Sequence, residues 1–247
     1  MPFLARCPLT LMRTLKRLVV YAVAGWAVVS ALVALLLRQW LRERYGRGGP
    51  FPASQAGALL NPLRGPIQPA RECLESFGVY RGQTVLELGP GPGYFTIEAT
   101  RIVGPNGRVV CIDIQREMLA ILRRRLRDHG VTNAHPLTGD ATRLPLADGA
   151  VDVAFLVTVL GEIPDRPAAL LELRRVLRLG GVLAVMETLR DPDYVLEATL
   201  SDLCRACGFA PLAHTRQLLG YTMTFVAPSQ EPERRPAIYG RSVSPMK

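Results

Sequence analysis

The stretch Val85-Leu86-Glu87-Leu88-Gly89-Pro90-Gly91-Pro92-Gly93-Tyr94-Phe95-Thr96 constrains this chain most. It reads as a short buried strand, a glycine turn and a helix start. The apolar run carries an acid, Glu87, and three glycines follow at every second position. Such a turn brings bare backbone against a ligand at the carboxyl end of a strand.

A glycine-rich turn between strand and helix points to a nucleotide-like ligand. Gly89 and Gly91 fit the dinucleotide pattern G-x-G-x-x-G, but its third glycine falls on Tyr94. No phosphate-cradling G-x-x-x-x-G-K-[ST] occurs either. Four further elements follow in order. Arg108 to Asp113 is a second buried strand ending in a carboxylate, placed to accept the hydroxyls of a ribose. Gly139-Asp140-Ala141-Thr142 is a loop whose acid could take an adenine amino group. Val151 to Thr158 is another buried strand. Leu179 to Glu187 is a turn into a strand that again ends in an acid.

With these elements the chain resembles the class I S-adenosylmethionine-dependent methyltransferases. The resemblance covers roughly residues 60–227, and within the class it is nearest to the group that includes quinone-pathway methylases. It rests on Glu87-Leu88-Gly89-Pro90-Gly91-Pro92-Gly93, Asp113-Ile114, Gly139-Asp140-Ala141 and Leu177-Arg178-Leu179-Gly180-Gly181. It implies S-adenosylmethionine as cofactor. Gly89, Gly91 and Gly93 would lie against its methionine part and Glu87 would hold its amino group. Asp113 would take the ribose hydroxyls and Ile114 would pack on the adenine. Asp140 would contact the adenine amino group and Ala141 would donate a backbone N–H. Candidates for the chemistry at the acceptor are Thr158, Glu162, Asp165 and Glu187. The segment Leu160-Gly161-Glu162-Ile163-Pro164-Asp165 resembles a family stretch that often has His at position 161. Gly161 removes that base, which weighs against an activated oxygen and leaves a carbon or amine acceptor.

The implied fold is α/β: a Rossmann-like, seven-stranded, mostly parallel sheet with helices on both faces and an antiparallel last strand. The expected helices are Ala70 to Phe77, Phe95 to Val103, Gln115 to Asp128, Asp165 to Arg178 and Leu196 to Cys207. Final strands are expected near Pro211 to His214 and over Tyr221 to Val226. His129 reads as a helix cap, and His135 falls near a short third strand.

Residues outside this domain set its location. From Leu18 to Leu37 there are 20 residues without a charge, and a helix of that length spans about 30 Å, the hydrocarbon thickness of a bilayer. Arg13, Lys16 and Arg17 precede it; Arg38, Arg42, Arg44 and Arg47 follow, with Tyr21, Trp26, Trp40 and Tyr45 as amphipathic rings. The run exceeds a signal-peptide core or an amphipathic presequence. The sequence is therefore organised as a basic flank and transmembrane anchor (residues 1–45, helix about 18–40), a Gly/Pro linker and lid (46–69), a methyltransferase domain (70–227) and a disordered tail (228–247). The expected location is a single-pass membrane protein with its catalytic domain on the cytosolic side.

The net charge is +9. Residues 1–50 hold eight basic residues and one acid, and residues 228–247 hold four basic and two acidic, which accounts for all of it. A neutral domain excludes nucleic acid as a partner, and the flanking cations suit anionic headgroups. Cys204-Arg205-Ala206-Cys207 is a single C-x-x-C with no second pair, so no metal site is expected; Cys111 reads as core. The run Arg123-Arg124-Arg125 with Arg127 reads as a solvated helix face. The function that follows is methyl transfer to a small or lipophilic acceptor, a quinone-pathway intermediate or a lipid. A non-catalytic S-adenosylmethionine-binding assembly factor is the alternative, and a nucleotide-dependent oxidoreductase ranks below it.

Overall fold

The computed structural model describes residues 19–36, 49–62, 64–217 and 219–227. The basic residues on either side of the apolar run, together with Trp40, Tyr45, Cys7 and the tail from 228, lie outside these residues. Helix α1, Val19–Leu36, is long and apolar enough to cross a membrane, and none of it is buried against the rest of the chain.

The domain is built on seven strands: β1 Thr84–Leu88, β2 Arg108–Asp113, β3 Ala134–Thr138, β4 Val151–Val157, β5 Leu177–Thr188, β6 Ala210–Gln217 and β7 Gly220–Val226. Their order is β3-β2-β1-β4-β5-β7-β6. The pairs from β3 through β5 are parallel, and β7 runs antiparallel to both β5 and β6. The expected seven-stranded, mostly parallel sheet is what forms. β1 and β4 are apolar runs because helices cover both faces of a parallel sheet. Side chains alternate between two cores. Val85, Val153 and Phe155 face a cluster with Phe77, Phe95 and Leu122. Leu86, Ala154 and Leu156 face one with Leu170, Leu173 and Leu200.

The first cluster is covered by α3 Ala70–Ser76, α4 Tyr94–Val103 and α5 Arg116–Asp128; the second by α6 Arg166–Val176 and α7 Glu197–Ala206. On α5, Met118, Leu119, Leu122 and Leu126 are buried, one stripe at helical spacing. His129 is its C-cap residue, followed by Gly130 at φ +64°. α6 starts where Asp165 accepts a hydrogen bond from the Ala168 N–H at 3.0 Å, with Pro167 in the first turn.

β6 runs on to Gln217, past the expected His214, and the junction of α6 with β5 also differs from expectation. α6 stops at Val176, and Leu177-Arg178 is already strand. Leu177 turns extended (φ −71°, ψ 135°) to pair with Val151, and Arg178 Nε pairs with Asp152 Oδ1 at 2.5 Å. Partners across the sheet outweigh the helical propensity of Leu and Arg at this junction.

The expected linker and lid contain a 3-10 helix, Ala53–Leu60, and a one-turn helix α2, Arg64–Ile67. Both border the carboxyl end of the sheet. Gln115 Nε2 donates to the Phe51 carbonyl at 2.8 Å, and the Phe51 N–H donates to Glu162 Oε2 at 3.3 Å. This strap therefore spans from the β2 side to the β4 side.

Candidate active site

The carboxyl ends of β1, β2 and β4 open into a cavity of about 920 Å³ roofed by the lid. This is where ligands bind in an open parallel sheet, at the point where the strand order reverses. Glu87, Gly89, Gly91, Asp113, Ile114, Asp140, Ala141, Thr158 and Glu162 all line it. Gly93 and Glu187 stand behind the wall.

The glycine turn is shaped by backbone that other residues resist. Gly89 has φ +69°, and a Cβ there would meet Val159 Cγ2 at 2.4 Å. Gly93 has φ +87° and begins α4; a Cβ on it would meet Leu122 Cδ1 at 2.4 Å. The third glycine therefore serves the packing of α4 on α5. Arg125 Nη1 donates to the Pro92 carbonyl at 2.5 Å and ties the turn to α5. One member of the arginine run thus has a structural partner at the site.

Glu87 is only 3% exposed. Its Oε2 accepts a hydrogen bond from Thr96 Oγ1 at 2.5 Å. Burial pushes its carboxyl up to about 8, against the pull of that bond and of Arg64. Asp113 ends β2, where its Oδ1 accepts from the Gln115 N–H at 2.9 Å. Burial raises this carboxyl too, while the backbone N–H groups of Gln115, Gly91 and Ile114 hold it down. Ile114 is 60% exposed, an apolar surface presented to the cavity. Asp140 Oδ1 accepts from the Thr142 N–H at 2.8 Å and Thr142 Oγ1 at 2.9 Å, so the loop is self-braced.

The β4 side holds the other candidates. Thr158 takes φ +55°, the one non-glycine residue with positive φ among the described residues. Its N–H donates to the Met186 carbonyl at 2.8 Å. A β-branched residue in this region is strained by about 1–3 kcal/mol, and such strain gathers at functional sites. Burial pushes Glu162 up to about 8, helped by Asp191, Asp193 and Asp113. Asp165 also lines the cavity, but its Oδ1 is occupied as the cap of α6. Glu187 is 1% exposed, and neither oxygen has a hydrogen bond of normal geometry. The Val195 N–H lies near enough to favour its ionised form, yet burial prevails and the carboxyl rises to about 8.

Sequence reasoning missed several wall residues. Arg64, Gln68 and Tyr94 form one unit: Arg64 Nε donates to Gln68 Oε1 at 2.8 Å, and Tyr94 Oη donates to the Gln68 carbonyl at 2.7 Å. The signal was present at Tyr94, which replaces the third glycine of the dinucleotide pattern. Cys204 and Cys207 are both buried and free; burial pushes the Cys204 thiol up to about 12. They play no part at the cavity.

The donor set fits S-adenosylmethionine. A buried carboxylate faces the glycine turn, a second acid ends β2, and an apolar surface lies beside it. The fold agrees. An S-adenosylmethionine-dependent methyltransferase from Aquifex aeolicus superposes with a TM-score of 0.69 at 23% identity, over 72% of this chain and 99% of that one. The [4+2]-cyclase SpnF superposes with a TM-score of 0.59 at 19% identity, over 65% and 80%. A cyclase on this scaffold means that fold alone does not name the reaction. Sequence is more discriminating. The chain is 40% identical over 118 residues to the ubiquinone/menaquinone biosynthesis C-methyltransferase UbiE of Proteus mirabilis (strain HI4320), a segment forming 47% of each chain. It is 39% identical over 118 residues to that of Vibrio campbellii (strain ATCC BAA-1116), covering 47% of this chain and 46% of that one. The chain spans about half the length of the curated relatives it matches. Residues 70–202, more than half of the chain and the part that carries the glycine turn, Asp113 and Asp140, match the model of the ubiE/COQ5 methyltransferase family. That family implies S-adenosylmethionine as the cofactor, and the chain belongs to it.

Proposed function

We propose that this protein is a membrane-anchored, S-adenosylmethionine-dependent methyltransferase whose acceptor is lipophilic, with a ring carbon of a quinone-pathway intermediate as the leading candidate. The observation that carries this reading is the continuity of the cavity. A single cavity is lined both by Glu87, the glycine turn and Asp113 and by Thr158, Glu162, Ile163 and Leu219. Ile67 and Leu219 border it and are 46% and 36% exposed, an apolar approach for an apolar acceptor.

S-adenosylmethionine supplies a methyl group on a positively charged sulfur, displaced in line by the acceptor. The chain's contribution is alignment and exclusion of water, which together are worth several kcal/mol. Gly89 and Gly91 admit the methionine part, with Gly93 holding the turn on α5. Glu87 holds the amino group and Asp113 the ribose hydroxyls. Ile114 packs on the adenine, Asp140 accepts from its amino group, and the Ala141 N–H donates.

A ring carbon that gains a methyl must then lose a proton. Glu162 is assigned to receive it. Its carboxyl, raised to about 8 by burial and neighbouring acids, exchanges protons near neutral pH. Thr158, with its strained backbone, lines the same cavity. Glu187 lies behind the wall, and Glu162 is among the charges that raise its carboxyl. Gly161 leaves the route to a carboxylate rather than an imidazole.

Helix α1 anchors the domain, with the catalytic part on the cytosolic side, where the cofactor is available. The test uses the full chain in detergent with methyl-labelled S-adenosylmethionine and a polyprenylated quinol that lacks a ring methyl. Label on the ring carbon, lost in Asp113→Ala, is the expected outcome. Label on the amine of phosphatidylethanolamine supplied in parallel would move the acceptor to a lipid headgroup. A folded protein that binds S-adenosylhomocysteine and labels neither would reduce the reading to a binding protein.

A further inference from the structure

Glu162 is not placed by its own loop alone. Its Oε2 accepts a hydrogen bond from the Phe51 N–H at 3.3 Å, across 111 positions of the chain. The Phe51 carbonyl in turn accepts from Gln115 Nε2 at 2.8 Å. The main chain of Phe51 is thus tied on one side to the loop after β4 and on the other to the end of β2. Gln115 is itself fixed, because its own N–H donates to Asp113 Oδ1 at 2.9 Å.

The strap is seated at several points. Phe51 stands between Pro50 and Pro52, and a residue before proline is confined to extended backbone. The 3-10 helix Ala53–Leu60 begins just beyond, where the Gln55 N–H donates to the Pro52 carbonyl at 2.9 Å. Ala56 of that helix is buried. Leu59 lies against the glycine turn: a Cβ on Gly91 would meet Leu59 Cδ1 at 3.4 Å. A donor held between two prolines and a packed helix loses little freedom when it bonds a carboxylate.

The charges around Glu162 show why a donor matters here. Burial raises its carboxyl to about 8, and Asp191, Asp193 and Asp113 add to the rise; the Phe51 N–H pulls the other way. Arg166 of α6 is turned to the carbonyls of Leu160 and Gly161, and Asp165 caps the same helix. Arg190 lines the cavity, and no cation among the described residues forms an ion pair with Glu162. A backbone N–H stands where a cation would otherwise be needed, and a hydrogen bond to a charged group is a strong one.

We propose that Phe51 is the positioning residue of the proton-transfer step: its N–H holds Glu162 by Oε2 and leaves Oε1 to receive the ring proton. This rests on the reading of Glu162 given above. In that step the ring C–H bond breaks, its electron pair restores the aromatic ring, and the proton bonds to Oε1. The neutral acid that results keeps its bond to the strap through Oε2.

Two substitutions at one position test it. Phe51→Pro removes the N–H and keeps the carbonyl that Gln115 holds; Phe51→Ala keeps the N–H and removes the ring. Each full chain in detergent is followed in two ways: kcat for methyl transfer to the quinol across pH, and carbon NMR titration of the glutamate carboxyls without ligand. The Glu162 signal is identified by its loss in Glu162→Gln. In Phe51→Pro the acid limb of kcat and the Glu162 titration are expected to rise together by about one unit. At pH 7 that lowers kcat roughly tenfold, while affinity for S-adenosylhomocysteine stays within about threefold. Phe51→Ala leaves both pH readings in place. Gln115→Leu, which frees the strap on the β2 side, shifts them in the same direction by less. Circular dichroism establishes that each variant is folded. An equal loss of kcat at every pH, with the titration unmoved, would overturn the proposal and make the strap a structural cover. A titration that moves without the acid limb would overturn it too, since Glu162 would then not receive the proton. A wild-type chain that methylates no acceptor would remove the function reading and this proposal with it, an outcome visible before any variant is made.

Discussion

The carbonyl oxygen of Asp193 occupies the place where a side chain at position 161 would begin: a Cβ on Gly161 would lie 1.9 Å from it. Arg166 fixes the other side, donating to the carbonyls of Leu160 at 3.1 Å and Gly161 at 3.0 Å. The absence of a histidine here is therefore built into the packing of the loop after β5.

Gly161→Ala follows directly. The obstacle is backbone, which cannot rotate away as a side chain can. The variant is expected to lose about 1–3 kcal/mol of stability through overpacking, read as a lower midpoint in urea denaturation. Gly161→His should be worse, so a family-like imidazole cannot be restored by one substitution. A stability equal to wild type would show that the loop yields freely.

Gly89→Ala tests the turn. The residue would be held at φ +69° with its methyl on Val159. The left-handed conformation costs about 1–2 kcal/mol for a residue with a Cβ. We expect affinity for S-adenosylhomocysteine to fall by roughly tenfold or more, with a smaller change in melting temperature. Calorimetric titration beside thermal melting separates the two effects.

Stability should depend on pH through three carboxyls. Burial raises Glu87, Glu162 and Glu187 to about 8 in the folded domain, against about 4.3 when unfolded. A raised carboxyl favours folding while it is protonated. Its contribution is full below pH about 4.3 and is lost as pH climbs to about 8. The ligand-free protein is thus expected to weaken over that window, and Glu162→Gln should flatten the slope. Denaturation midpoints at successive pH values measure it; a rise in stability over the same window would refute the assignment.

Binding should also move a proton. At pH 7 Glu87, raised to about 8, is mostly protonated in the free protein. To hold an ammonium it must ionise, so cofactor binding should release a fraction of a proton. Calorimetry in buffers of different ionisation enthalpy detects this. Glu87→Gln should abolish the buffer dependence and weaken binding together.

Much of the site could be read along the chain because it is local. β1, the glycine turn and α4 form one continuous stretch, and Asp113 and Asp140 follow at the ends of predicted strands. Apolar runs and helical spacing located most strands and helices of the domain to within a few residues, but not the 3-10 turn Leu160–Glu162. The end of α6 was a further exception, since Leu177 is decided by its pairing with Val151 on another strand.

The primary sequence thus determined the strands, the turn and the acids that line the cavity, because each is marked by residues only a few positions apart. Tertiary structure alone decided the rest. It seated Arg64 on Tyr94, 30 positions along the chain. It carried Phe51 across to Glu162, 111 positions away, and set Asp193 over Gly161. It withdrew Glu187 behind the wall although its place at a strand end resembles that of Asp113. These contacts arise when helices and lid pack on the sheet, and no local spacing encodes which long-range partner will fill a given space.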